Sequence, residues 1–129
     1  MGIAEPNLLA GWIGMLGGAV SGALIGLFFH QDQWMGGYGS FRRRLTRLGH
    51  ISFFGLGFLN LLFGLGLKAV PLPALHAEVA SLGFIAGAVT MPLCCFMAAW
   101  RPQFRHLFPI PVASVIAAIL SILLGWPAA

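Results

Sequence analysis

The stretch from Leu8 to Phe29, LLAGWIGMLGGAVSGALIGLFF, holds no charged residue and no proline. Coiled as an α-helix it covers about 33 Å, which matches the ~30 Å of hydrocarbon in a bilayer. Working outward, three more predominantly apolar runs follow, Ile51 to Leu67, Leu75 to Ala99 and Leu107 to Trp126. The 129 residues are 59% hydrophobic and only 8% charged, too little polar surface to clothe a soluble fold. The expected architecture is all-α: one transmembrane domain over residues 1–129, an integral membrane four-helix bundle with helices at about 8–29, 51–67, 75–99 and 107–126. Met1 to Asn7 has no basic n-region, so the first run is expected to be a retained helix and not a cleaved signal.

The charges orient the spans. Arg42, Arg43, Arg44 and Arg47 follow the first run, and Arg101 and Arg105 follow the third, whereas Lys68 stands alone after the second. By the positive-inside rule the arginines lie in the cytoplasm and both termini lie outside. The net charge of +4 is then a matter of topology and headgroup attraction, and nucleic acid is not an expected partner. Expected partners are the lipid bilayer and other membrane subunits or further copies of the chain. The link 31–49 is expected to lie along the membrane surface or to form a flexible basic loop, and Pro71 with Pro73 makes a tight hairpin of helices 2 and 3.

Small residues set the packing. Ala10, Gly14, Gly18, Gly22, Gly26 and His30 recur every fourth position, a stripe that resembles the glycine-zipper segments of many unrelated membrane proteins. That resemblance covers helix 1 and implies close helix packing, not chemistry. Gly57, Asn60 and Gly64 in helix 2, and Gly83 and Gly87 in helix 3, continue the small or polar faces at heptad-like spacing. An amide at mid-membrane depth needs a partner, and Thr90 or Ser114 is the expected one for Asn60.

Candidate ligands for a metal are His30, His50, His106, Cys94 and Cys95, which the topology carries to the cytoplasmic end. Imidazole suits haem iron, copper or zinc, and thiolate suits Cu(I). No spacing matches a dedicated zinc or haem-attachment motif, so interfacial histidines and packed thiols are the preferred reading, with a haem or copper protein as the alternative. A structural disulfide between adjacent cysteines is not expected.

No phosphate-binding loop or nucleophile triad is present, and the one carboxylate within a run, Glu78, lies at the outer start of the third and not at mid-membrane depth. Small multidrug resistance transporters carry a Glu in the first helix, where this chain has Gly and Leu. Gly17, Gly18 and Asn60 are superficially similar to the small fluoride channels, but Thr90-Met91-Pro92-Leu93 stands where that family has a Thr-Thr-Phe-Ser-type segment. The expected function is a non-catalytic accessory or packing subunit of a bacterial inner-membrane complex. The alternatives are a haem- or copper-binding redox or assembly protein and a small oligomeric channel.

Overall fold

A computed structural model describes residues 2–127. They form four long α-helices: α1 (Ala4–Phe28), α2 (Phe41–Ala69), α3 (Ala74–Trp100) and α4 (Pro109–Leu124). Short 3-10 segments, Trp34–Gly36 and Pro102–Leu107, precede α2 and α4. Each helix, with Pro102–Leu107 counted into the fourth, is long and apolar enough to cross a membrane. Large apolar side chains such as Leu16, Leu27, Leu62, Leu82 and Leu124 stand exposed all around the chain, as lipid-facing residues do.

The main correction to the sequence reading is at α2, which begins at Phe41 and not at Ile51. Ser40 caps it, its hydroxyl accepting from the Arg43 amide at 3.1 Å. The segment 41–49, expected as a surface stretch or loop, is therefore the first turns of a 29-residue helix. Four arginines there run against the helix dipole, which disfavours cations at an N-terminus. Two of them are turned to the opposite dipole ends of the neighbours. Arg43 reaches carbonyls where α1 stops, and the Arg42 Nε–H donates to the Ala99 carbonyl at 3.0 Å in the last turn of α3. Antiparallel packing makes this possible, because the start of α2 lies beside the ends of α1 and α3.

The helices follow one another in space as in sequence, α1 on α2, α2 on α3 and α3 on α4, with a smaller contact between α1 and α3. Seen from α3, Ser81 faces α1, Phe84 faces α2, and Gly83 and Gly87 face α4. The bundle is thus open, with α2 and α3 at its centre. Phe63, Ala80, Phe84 and Ala118 make its main buried apolar cluster, and Leu45, Ala98 and Ala99 make a second at the arginine-rich end. The helix α3 continues without interruption through the buried Pro92.

The packing stripe on α1 differs from the expected one. Asn7, Gly11, Gly14 and Gly18 are its buried residues, spaced four, three and four. A Cβ added at Gly14 would lie 3.0 Å from the Phe53 carbonyl oxygen, and one at Gly18 or Gly22 would strike the Phe54 or His50 ring at 2.6 Å. At Gly26 a Cβ would meet nothing within 4 Å, and His30 is exposed. Each four-residue step overshoots a turn by about 40°, so a strict spacing of four walks off the interface within a few turns. Heptad-like spacing stays on it. On the partner helices the small residues do meet neighbours. A Cβ at Gly57 would be 3.1 Å from the Gly11 carbonyl oxygen, one at Gly64 2.9 Å from Leu8, one at Gly83 2.6 Å from the Ser114 carbonyl oxygen and one at Gly87 2.6 Å from Val115.

Candidate functional site

Two polar constructions are built into this apolar protein. The first joins α1, α2 and α3. Asn7 and Asn60 are both fully buried, and Ser81 nearly so. One amide N–H of Asn7 donates to Asn60 Oδ1 at 2.8 Å and the other to the Ser81 carbonyl at 3.3 Å, while the Ser81 hydroxyl donates to Asn7 Oδ1. Asn60 donates to the carbonyls of Leu56 at 2.9 Å and Phe84 at 3.0 Å. Every amide proton of the pair is used, and each side-chain oxygen accepts one hydrogen bond. Such a cluster in a low-dielectric medium fixes the relative register of three helices, since any slip strands a buried donor.

The partners expected for Asn60 are not the ones it has. Thr90 donates to Ala86 O at 2.6 Å and Ser114 to Ile110 O at 2.8 Å, each within its own helix. Asn7 stands one residue before Leu8, where the apolar run places the start of the first helix, whereas α1 begins at Ala4. Its spacing was nonetheless a signal, lying four residues before Gly11 and seven before Gly14 on the buried face.

The second construction is at the arginine-rich end. Arg43, with 2% of its surface exposed, donates to the carbonyls of Phe29 (2.9 Å), Gln31 (3.2 Å) and Asp32 (3.3 Å). Its guanidinium lies 4.9 Å from the Phe29 ring centre, 5.5 Å from that of Trp34 and 5.4 Å from that of Tyr38. The Nε has no hydrogen-bond partner, and the three ring faces supply cation–π attraction around the group. The chain wraps it through a tight turn in which Met35, Gly36 and Gly37 all have positive φ, of 54°, 89° and 94°. Glycine is suited to two of those positions. Met35 is held there by the Ser40 hydroxyl on its carbonyl (2.7 Å) and by Thr46 on its sulfur (3.4 Å). The arginine thereby neutralises the carbonyl end of α1 and ties the link 29–40 onto α2.

The candidate metal ligands do not converge. His30 and His106 are exposed, whereas His50 is half-buried between α1 and α2 with Nδ1 3.1 Å from Ser21 Oγ and its ring edge-on to Phe54. Cys94 and Cys95 are buried free thiols in α3, and a Cβ at Gly49 would sit 3.1 Å from that of Cys95. Among the described residues no three His, Cys, Asp or Glu side chains are grouped as metal ligands would be. The sequence brought these five to one end of the bundle by depth, but it could not fix their rotation about each helix axis. His76, at the other end, repeats the His50 arrangement: its Nδ1 is 3.3 Å from Ser121 Oγ and its ring covers Gly125.

Both polar constructions therefore serve helices, with hydrogen-bonding groups turned inward on one another. Comparison with protein-family models, with curated proteins and with solved structures finds no match to this chain.

Proposed function

We propose that this chain is a small multi-pass protein of the bacterial inner membrane, with both termini outside, that acts as a non-catalytic accessory or packing subunit of a larger membrane assembly. The observation that carries the reading is the closed Asn7–Asn60–Ser81 cluster. A pore or a reaction centre needs polar groups left free for a permeant or substrate, and the amide protons in this cluster are spent on one another's oxygens and on backbone carbonyls. That argues for Asn60 as interhelical glue over a channel lining. The glycine contacts of α1 with α2 fit the same role, since in lipid close backbone approach supplies the van der Waals energy that burial of leucine does not.

The orientation rests on six arginines against one lysine. The subunit reading draws on the groove between α1 and α3, which is walled by Ala10, Gly14 and Ala88 and floored by Phe53. Its apolar walls and small residues suit a transmembrane helix of another subunit. The experiment is a size measurement on protein extracted from its own membrane in mild detergent. A discrete assembly larger than one chain is expected, released by Ala88→Trp in the groove and untouched by Leu82→Trp on the lipid face. A single copy under all three conditions would sink the subunit reading.

A further inference from the structure

A second groove runs between α2 and α4, and its two ends differ in a way the α1–α3 groove does not show. The groove, about 530 Å3, is walled by Leu48, Gly55 and Leu59 on α2, by Val112 and Ile116 on α4 and by Phe108 just before it, over a floor of Met91. Leu59 also lines a separate pocket bounded by Gly66 and Trp126. Gly55 leaves open space in the wall, with nothing within 4 Å of where a Cβ would stand.

The arginines sort themselves around this groove. Arg42 holds the Ala99 carbonyl, Arg43 the end of α1, Arg47 the Tyr38 ring and carbonyl, and Arg101 the Trp100 ring. Among the described residues the two whose side chains hold no hydrogen bond or ring contact are Arg44 and Arg105, both exposed. Arg44 is one helical turn before Leu48, on the same face of α2. Arg105 lies in the 3-10 segment that leads into Phe108, and the Phe108 amide donates to its carbonyl. One free guanidinium therefore precedes each wall of the groove, at its inner mouth.

We propose that the α2–α4 groove is a binding site for an anionic glycerophospholipid of the phosphatidylglycerol type, its phosphate held by Arg44 and Arg105 and an acyl chain lying along Gly55. An acyl chain gains little by leaving bulk lipid for an apolar groove, so the headgroup must supply the selectivity. Two guanidiniums with no internal partner recognise a phosphodiester by paired N–H donors and its net negative charge. A zwitterionic headgroup would bring an ammonium or choline into the same positive field, which disfavours it.

The inference rests on the chain lying in a bilayer with its arginine-rich end at a headgroup layer, and the test separates the two. The full chain is reconstituted in bilayer discs of phosphatidylglycerol and phosphatidylcholine, released, and its retained lipids are measured by native mass spectrometry. One phosphatidylglycerol per chain is expected. Arg44→Gln and Arg105→Gln should each weaken retention roughly fivefold and the pair roughly 25-fold. Arg47→Gln, with the same charge change at the same end, should leave it unaltered. Gly55→Leu, which fills the groove with no change of charge, should abolish retention, and soluble glycerol 1-phosphate should not compete.

Equal retention of phosphatidylcholine, equal loss in Arg47→Gln, or indifference to Gly55→Leu would each overturn the site, the last two pointing to diffuse headgroup adsorption. So would dissociation of a co-extracted protein by Gly55→Leu, which would mark the groove as a helix-docking face. Failure of the chain to enter discs at all would overturn the membrane reading itself, whereas entry without selective retention would overturn this inference alone.

Discussion

Replacing Asn60 by leucine removes three side-chain hydrogen bonds, one accepted from Asn7 and two donated to Leu56 and Phe84. At ~0.6 kcal/mol for an average interhelical hydrogen bond in a membrane protein, loss of the bonds to Asn7 and Phe84 costs about 1 kcal/mol, the bond to Leu56 lying within α2. The stranded Asn7 N–H, buried with no replacement acceptor, adds about 1 kcal/mol. Asn7→Leu should cost a similar amount, because it strands Asn60 Oδ1 and the Ser81 hydroxyl. The double variant removes the shared bond once and leaves neither amide facing the other, so it should cost less than the sum of the singles by about 1–2 kcal/mol. The assay is reversible unfolding in mixed micelles followed by circular dichroism, completed as a double-mutant cycle. Strict additivity would refute the account of the two amides as one cluster. Loss of ion flux in liposomes by an Asn60→Leu protein of unchanged stability would refute it in favour of a pore.

Gly18→Leu should destabilise by about 2–3 kcal/mol in the same assay, since its side chain must displace the Phe54 ring, whereas Gly26→Leu, facing open space, should be within about 0.5 kcal/mol of the parent. Arg43→Lys keeps the charge but cannot span the Phe29, Gln31 and Asp32 carbonyls as a planar fork does. Limited proteolysis should then cut faster between Gln31 and Ser40, with the spans intact. Ser40→Ala should cost about 1 kcal/mol through loss of the α2 cap, read by the same unfolding curve.

The spans were legible because hydrocarbon thickness leaves little choice about them. The runs around Gly14, Gly57 and Gly87 could only be helices in lipid. Which face of each helix turns inward was legible only in part. Gly14, Gly18 and Gly22 carried the contact with α2, but the four-residue rule extended it to Gly26 when the true stripe runs back through Gly11 to Asn7. A spacing rule picks out a row of small residues and says nothing of where a neighbour leaves it. The start of α2 was obscured for a different reason. Three arginines in a first turn, with Arg47 in the second, contradict the dipole of their own helix, and what reverses the sign for Arg42 and Arg43 is the carbonyl ends of α3 and α1, a tertiary fact. The histidines and cysteines failed similarly: depth follows from chain position, but whether His50 turns to Ser21 or to Cys95 is decided by the packing of α2 between its neighbours.

The orientation, with the arginine-rich end inside, is the claim on which the account turns, and reporter fusions test it most directly. An export-dependent phosphatase joined after Pro71 or after Trp126 should be active, and one joined after Gly39 or after Gln103 should be inactive, with a fluorescent cytoplasmic reporter giving the complementary pattern. Phosphatase activity after Gly39 and Gln103, with silence after Pro71 and Trp126, would place the arginines outside and contradict it.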